Sequence, residues 1–484
     1  MTDSVQNSNN YKNILKGSSV FGGVQIFLIL INIIRGKFVA IFLGPEGMGI
    51  SSLFTSSSNT IIKASSLGLN LAIVKEIAQN DSNPSKFQDV VCVIFKLLHI
   101  TAITGALICI IFSNWLSEIT FDTKEYAWQF IMLSVAVYFS IAGNAKLSIL
   151  QGLHDVRKIA KASLIGALTG LFAGIPLYYF FNDKGIVPAI VVLSLTSYIF
   201  YSWNTRNLSS QKSFSWNNHK YIVKRLVGLG IVLLAGDLIG TLCTYIINIY
   251  LRSESDVDTV GLYQAANSIT NQYSGAIFAA LAIDYFPRLS KAAKDNIEMT
   301  TIVNRQSEIV ALTISPLAIL VILTAPVIIK LLLTNAFLPI LELIRWLGLG
   351  IMLRALQFPM GYITFAKDNK KLFFILEGLI TNFLYLVGSI IGFHYFGLIG
   401  LGYAMIIENI LSIFIYYSVN YYKYNYKFSI NVIREYLICV LLCCTCFVIS
   451  FVNNNMLSYS GMSIVFLISL IYSIKRIVSL IRTN

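Results

Sequence analysis

Fourteen runs of about 20 apolar residues, separated by short polar segments, dominate this 484-residue chain and leave it few ways to fold. A helix needs about 20 consecutive apolar residues to cross the hydrocarbon core of a bilayer. Only 12% of the residues are charged, about half the share found in soluble globular proteins. This composition excludes a soluble globular chain and a disordered one, and it predicts an all-α polytopic membrane protein. The predicted spans are 18–42, 51–74, 90–113, 127–150, 160–181, 186–203, 223–250, 260–286, 307–333, 343–366, 372–395, 398–421, 432–452 and 459–478.

Basic residues are distributed unevenly between alternate loops. Segments on the side of the N-terminus carry 25 of the 36 Lys and Arg residues, whereas the opposite loops carry three, Lys124, Lys184 and Arg252. Because cytoplasmic loops are enriched in Lys and Arg, this split predicts that both termini are cytoplasmic. The second predicted span is polar, but it is included as a span because the side of the membrane assigned to every later loop depends on it. The same bias accounts for the net charge of +13 without a nucleic-acid partner.

Two pairs of similar sequence segments indicate an internal repeat. Gly49-Ile50 opens the second span and Gly261-Leu262 opens the eighth, 212 residues later. LQGLHDVRKIAKAS, at the end of the fourth span, resembles ITFAKDNKKLFFIL, at the end of the tenth, at an offset near 214. The two segments of each pair are six spans apart. Because six is an even number of spans, the two halves of the chain have the same orientation in the membrane, as in parallel-repeat transporters. The predicted organisation is a cytoplasmic segment, two six-helix bundles and two additional helices, at residues 1–17, 18–210, 211–425 and 426–484.

Four sequence blocks resemble Wzx-type polysaccharide flippases of the MOP superfamily. The first is RGKFVAIFLGPEGMG (residues 35–49), which matches the family's turn between helices one and two, and the second is GLNLAIVKEIAQ (68–79). The third is LQGLHD (150–155), and the fourth is RWLGLGIMLRALQFPMGYITFAKDNKKLFFILE (345–377), which matches the junction of helices ten and eleven. Together these scattered blocks cover roughly residues 15–425.

The resemblance implies a MOP/MATE-like fold, with twelve core helices in two bundles around a central cavity that opens alternately to each side. It implies a polyprenyl-pyrophosphate-linked oligosaccharide as cargo, such as an O-antigen or related repeat unit, moved from the cytoplasmic to the outer leaflet of a bacterial inner membrane. A polysaccharide polymerase and a chain-length regulator are the expected protein partners, beside membrane lipid. The last two helices exceed the common twelve-helix pattern, and fourteen helices also occur in the related lipid II flippase group.

Cations inside the spans are candidates for contact with an anionic cargo. A charged side chain at the bilayer centre costs about 2.5–3.5 kcal/mol on insertion scales, so it usually faces a cavity or a partner. Lys63 lies twelve residues into the second span and Arg354 eleven residues into the tenth, and both are predicted to line the cavity. The alternatives are a structural partner or snorkelling for Lys63, and an ion pair with Asp237 or Glu408 for Arg354.

Arg35 and Lys37, near the outer end of the first span, are further candidates for the cavity. Residues two apart point about 200° apart on a helix, so these two cannot share one face. Either side chain could snorkel to the membrane surface, and the family match favours Lys37. At the 212-residue offset, Arg35, Lys37 and Lys63 correspond to uncharged residues, Ile247, Ile249 and Gly275. This asymmetry favours an anion site on the N-terminal bundle.

Two carboxylates lie near mid-depth, Asp237 in the seventh span and Glu408 in the twelfth. Intramembrane carboxylates commonly bind a coupling proton or Na⁺, and the alternative role is to balance a nearby cation. Glu377, near the cytoplasmic end of the eleventh span, is predicted to act at an interface or gate. The four His residues form no nucleophile–base pattern, and all seven Cys residues lie within apolar runs, so neither catalysis, a metal nor a cofactor beyond the coupling ion is predicted.

The leading interpretation is therefore a flippase for a lipid-linked oligosaccharide, and the alternative is a cation-coupled multidrug or organic-ion exporter of the same fold. An exporter of cationic drugs should present acidic residues in its cavity, whereas the candidate cations here favour an anionic cargo. A membrane glycosyltransferase would need a large outer loop with catalytic residues, and the predicted outer loops are short.

Overall fold

A computed structural model describes residues 2–80, 83–208 and 215–482 of the chain. Helices account for nearly all of these residues, and the described ranges contain no β-strand. Contacts between residues divide the chain into two compact units, the first ending at Ser253 and the second beginning at Glu254.

The first unit is built from long helices joined by short turns. In chain order they are α1 (Thr2–Ser66), α2 (Leu69–Asn80), α3 (Pro84–Ile111), α4 (Ser113–Phe121), α5 (Ala127–Gly152), α6 (Val156–Phe181), α7 (Ile186–Thr205) and α8 (Trp216–Glu254). Short 3₁₀ turns at Asn182–Gly185 and Arg206–Leu208 follow α6 and α7.

The second unit continues the helical pattern. Its helices are α9 (Val257–Lys291), α10 (Asn296–Leu332), α11 (Leu341–Ala366), α12 (Lys370–Phe373), α13 (Thr381–Tyr424), α14 (Ile430–Ile449) and α15 (Asn455–Arg482). A π-helical segment, Phe374–Ile380, joins α12 to α13, and 3₁₀ turns occupy Ala292–Lys294 and Asn335–Ile340.

Polar residues in the connecting turns cap the helices that follow them. Side chains such as these accept a hydrogen bond from a backbone N–H of the first turn that has no partner within the helix. The caps precede α3, α6, α9, α10, α12 and α14, at Asn83, Asp155, Asp256, Asp295, Asn369 and Ser429.

The helices account for all fourteen predicted spans. Ten described stretches are long and apolar enough to cross a membrane. Three of them, Phe27–Ser66, Val156–Leu208 and Lys370–Tyr424, each contain two predicted spans, so the ten stretches hold thirteen. The eighth predicted span falls in the more polar α9, whose 35 residues give a length of about 50 Å at 1.5 Å per residue. The predicted all-α polytopic membrane fold is confirmed.

Glycines with positive φ mark two of the junctions between predicted spans. Gly44 has φ 65° and kinks α1 directly before Pro45, which separates the first span from the second. Gly397 has φ 58° and kinks α13 between the eleventh span and the twelfth. Glycine adopts this conformation without the steric penalty that other residues pay. The Gly-Pro turn in the sequence thus predicts the first junction correctly.

The second predicted span, 51–74, is wrong as a continuous helix. The structure ends α1 at Ser66 and begins α2 at Leu69, with φ 65° at Gly68. A Cβ at Gly68 would lie 2.1 Å from the carbonyl oxygen of Gly230 in α8, so only glycine fits this contact. The break is therefore required by the close approach of α8, which the hydropathy pattern does not report.

Polar contacts attach α8 to the first unit along its length. At one end, Arg225 Nε donates to Oε2 of the buried Glu76 in α2 at 2.8 Å. At the other end, Arg252 Nη2 donates to the Ile119 carbonyl oxygen at 2.8 Å, and the hydroxyls of Tyr245 and Thr120 are 2.5 Å apart. Contacts thus group α8 with the preceding helices. The predicted boundary between the two repeats, at 210/211, lies outside the described residues.

The two helices beyond the predicted repeat pack into the core of the second unit. Cys439, Cys443 and Cys446 recur at one face of α14, are fully buried and join a core cluster with residues of α10 and α11. The carboxylate of Glu435, 1% exposed, accepts hydrogen bonds from Arg434 and from Tyr472 and Arg476 of α15. These contacts make α14 and α15 an integral part of the second unit.

Candidate functional site: charge clusters and a polar cavity

Lys63 and Asp237, two of the predicted site residues, form an ion pair within the first unit. Lys63 lies in the last turn of α1 and donates from Nζ to Asp237 Oδ1 of α8 over 2.7 Å. The contact between Gly68 and Gly230 holds the two helices together about one turn away from Lys63. The side chains of Lys63 and Asp237 are 34% and 66% exposed, so the pair remains open to solvent or ligand. The ion pair matches one alternative stated above for Lys63, a structural partner. The partner that the sequence suggested for Asp237 was Arg354, not Lys63.

A second cluster of charges lies in the second unit, where Arg354 acts electrostatically on Glu377 and Glu408. The guanidinium of Arg354 also lies 5.5 Å above the ring of Phe278, within the range of a cation–π contact. Three candidate residues from three separate predicted spans therefore lie within electrostatic range of one another. The cluster has one cation for two carboxylates.

Glu408 is the most enclosed carboxylate of this cluster. It is 7% exposed, and Ser412 Oγ donates to its Oε1 at 2.9 Å. Glu408 forms no direct ion pair in the part of the chain that the structure describes. A charged carboxylate in such a place keeps a large desolvation cost, which uptake of a proton or a cation would remove.

Glu377 lies in the π-helical segment Phe374–Ile380, and such segments occur frequently at functional sites. The ring of Tyr416 in α13 lies close by, with its Cε1 atom 3.5 Å from where a Cβ at Gly361 would stand. A Cβ at Gly361 in α11 would lie 2.5 Å from Glu377 Oε1, so this glycine makes room for the carboxyl group. The sequence identified Glu377 but not Gly361 or Tyr416, because neither residue type carries a signal in a membrane helix.

Arg35 lines a cavity of about 220 Å³ inside the first unit. Lys37 is half-buried and is not among the residues that line this cavity, in keeping with the opposite directions of the two side chains. Polar residues of α1 complete one wall, at Ser51, Thr55, Ser58 and Asn59. The sequence shows that this segment is rich in Ser and Asn. The spacing of these four residues, 4, 3 and 1, also indicates that they share one face of the helix, which the sequence analysis did not use.

Comparison with known proteins gives one family and a consistent fold. A family described as "Polysaccharide biosynthesis protein" matches residues 38–342. The lipid III flippase of Escherichia coli (strain K12) is 24% identical over 349 residues, which cover 71% of this chain and 82% of that protein.

Solved structures of two transporters resemble most of this chain. The lipid II flippase MurJ, in an inward closed conformation, has a TM-score of 0.72 at 16% identity, covering 95% of this chain and 99% of that chain. An inward-facing multidrug resistance MATE family transporter of the MOP superfamily has a TM-score of 0.70 at 16% identity, covering 84% and 98%. At these identities the likeness concerns the fold.

The apolar spans define a polytopic membrane protein, and its fold is the one seen in solved transporters of the MOP superfamily. Because the family match spans more than half of its residues, the chain belongs to the family of polysaccharide biosynthesis proteins. The resemblance to Wzx-type polysaccharide flippases and the MOP/MATE-like fold are thus confirmed.

Proposed function

We propose that this protein is a flippase that moves a polyprenyl-pyrophosphate-linked oligosaccharide, an O-antigen or related repeat unit, from the cytoplasmic to the outer leaflet of a bacterial inner membrane. It does so by alternating access, without catalysing a covalent reaction. Both termini are cytoplasmic in this proposal. The family match and the similarity to a lipid III flippase support a lipid-linked cargo. The single observation that carries the proposal is the presence, in each unit, of a solvent-accessible cation at a position predicted within a span, Lys63 and Arg354.

The two cations can bind phosphate in different ways. Arg354 is exposed, and its planar guanidinium can hold two phosphate oxygens at once, whereas the ammonium of Lys63 acts as a point charge. Asp237 already compensates Lys63 over 2.7 Å, so a phosphate must displace this carboxylate or share the ammonium with it. In this mechanism Asp237 is the counterion that holds Lys63 in place when no cargo is bound.

The membrane potential favours the proposed direction. A pyrophosphate cargo carries roughly two negative charges, and moving one charge through 100 mV is worth about 2.3 kcal/mol. An inside-negative potential therefore assists outward movement by about 4–5 kcal/mol at 100 mV. A coupling ion, a proton or Na⁺, is proposed to bind at Glu408, because this carboxylate is buried while Asp237 is exposed and already paired with Lys63.

The alternative, a cation-coupled exporter of drugs or organic ions, is less well supported. Such a cargo requires carboxylates that are free to bind it, but Asp237 is paired with Lys63, Glu408 is buried, and the cavity within the first unit is lined by Arg35 with no carboxylate among its lining residues. The resemblance to MATE transporters is a likeness of fold. A polysaccharide polymerase and a chain-length regulator are proposed as partners that act after the cargo has crossed.

Complementation of a flippase-null strain tests the proposal. Lys63→Ala and Arg354→Ala, each expressed at the level of the unchanged chain, are expected to lose surface polysaccharide. Lys63→Arg should be milder than Lys63→Ala, whereas Arg354→Lys should lose most activity because the fork of donors is gone. Lys330→Ala, a change of an exposed cation at the end of α10, is the matched control and should complement fully. Normal polysaccharide in both Ala variants would reject the proposed role of the cations.

A further inference from the structure

The cavity inside the first unit has an uncompensated cation. Arg35 lies in α1 before the Gly44 kink and lines the cavity, and it forms no ion pair with any residue that the structure describes. Tyr178 of α6 is within electrostatic range of the guanidinium, but a neutral phenol does not balance a charge. Because a cation within a membrane span is costly without a partner, this arrangement indicates that an anionic group completes the site.

Hydroxyl and amide groups also line the cavity. Ser51, Thr55 and Asn59 come from α1 beyond the kink, and Ser140 and Ser194 come from α5 and α7. Ser140 Oγ donates to Ser194 Oγ at 3.1 Å. Thr55 and Asn59 are exposed, so the cavity is open to a ligand. A bare halide would satisfy Arg35 but would leave these groups without a role.

The size of the cavity matches one sugar ring. Its volume is about 220 Å³, which is below the range of about 300–1,000 Å³ for sites of drug-sized ligands and far larger than a single ion requires. Gly174 of α6 forms part of the wall, and the absence of a side chain there leaves space for the ring. One cation, several hydroxyl and amide groups and a volume of this size together describe a receptor for a polyhydroxylated ring that carries one acidic group.

We propose that this cavity binds an acidic monosaccharide unit of the cargo, with its carboxylate on Arg35 and its hydroxyls on the Ser, Thr and Asn side chains. This inference rests on the proposed function and names the class of sugar that the flippase accepts. The guanidinium holds the carboxylate through two parallel N–H···O bonds. Asn59 both donates and accepts, as neighbouring sugar hydroxyls require.

Direct binding of a simple acidic sugar tests the inference without transport. The full-length protein in lipid nanodiscs is titrated with radiolabelled glucuronate in a chloride-free buffer, and bound ligand is measured by scintillation proximity. We expect saturable binding with a Kd of about 1 mM, the strength that a ligand of this size commonly reaches. Glucose should compete at least about tenfold more weakly, because it cannot use the charge-assisted hydrogen bonds.

Three variants locate the binding. Arg35→Gln should weaken glucuronate binding at least about tenfold, whereas Lys37→Gln, two residues away on the same helix, should leave it unchanged. Gly174→Val should abolish binding by filling the cavity. A Cβ at Gly174 meets Ala189 Cβ at 3.7 Å and Tyr178 at 3.9 Å, both ordinary contacts, so this variant is expected to fold.

Several results would overturn the inference. These are equal competition by glucose, competition by chloride or inorganic phosphate as strong as that by glucuronate, unchanged binding in Arg35→Gln, and no saturable binding at all. Competition by chloride or inorganic phosphate would identify a site for inorganic anions instead. Complementation by the unchanged chain together with absent glucuronate binding would retain the flippase and reject the acidic sugar, so the two proposals fail separately.

Discussion

Neutralising Lys63 and Asp237 singly and together is expected to separate the stability of the first unit from transport. Lys63→Met leaves Asp237 without its partner, Asp237→Asn leaves Lys63 without its partner, and the double variant removes both charges. The proposed mechanism requires Lys63 for cargo and Asp237 only as its counterion. Transport should therefore be lost in Lys63→Met and in the double variant, and largely retained in Asp237→Asn.

The size of the stability effect follows from the geometry of the pair. At 2.7 Å and an effective dielectric constant of about 20, the Coulomb attraction is about 6 kcal/mol. Desolvation and the loss of side-chain entropy offset most of this energy when the side chains are 34% and 66% exposed, so a net coupling of about 1 kcal/mol is expected. Each single variant should lower the unfolding free energy by about 1 kcal/mol, and the double variant by less than the sum of the two.

The native cysteines provide the stability assay. Cys109 and Cys243 of the first unit are buried and belong to no disulfide, so a thiol-reactive fluorophore reports their exposure during thermal unfolding. Complementation of surface polysaccharide in a flippase-null strain reports transport for the same variants. Normal transport by the double variant would reduce the pair to a structural contact. A defect in Asp237→Asn as severe as that in Lys63→Met would show that the ion pair itself, rather than the cation, is needed.

Two further variants test the helix break and the coupling site. Gly68→Ala should destabilise the first unit by about 3 kcal/mol, because of the strained positive φ and the overlap with the carbonyl oxygen of Gly230. The matched control is Gly228→Ala, whose Cβ would meet nothing within 4 Å. Equal thermal stability of the two variants would contradict this account. Glu408→Gln should fold normally, since Ser412 can still donate to the amide oxygen, but its transport in membrane vesicles should no longer respond to an imposed gradient of protons or Na⁺. A full response to the gradient in this variant would exclude Glu408 as the coupling site.

The sequence predicts the fold well because its two strongest signals do not depend on tertiary contacts. An apolar run of about 20 residues identifies a span by its length alone, and the alternation of basic and non-basic loops supports the number of spans. The Gly-Pro pair at residues 44–45 marks a junction because proline lacks an N–H and glycine accepts positive φ. The break at Gly68 was missed, since its cause is the backbone of α8, more than 150 residues away in the chain.

Candidate charges were found for the same reason, but their pairing was not. A Lys or Asp inside an apolar run is conspicuous by its residue type alone, and this identified Lys63, Asp237 and Arg354. Which carboxylate compensates which cation depends on helix rotation and on the contact between Gly68 and Gly230, and neither is encoded in spacing along one span. The wall of the Arg35 cavity is partly encoded, because four polar residues of α1 recur on one helical face.

The charged residues of the two units differ in accessibility, although similar sequence segments in the two halves indicate a common repeat. In the first unit the cations are accessible, with Lys63 paired to an exposed carboxylate and Arg35 facing a cavity without one. In the second unit Glu408 is buried and Glu377 is half-buried, and Arg354 lies within electrostatic range of both. An accessible cation suits recognition of an anionic cargo, and a buried carboxylate suits reversible binding of a small cation. In the proposed mechanism, a division of these two roles between the repeats would account for the uncharged residues at the positions that correspond to Arg35 and Lys63.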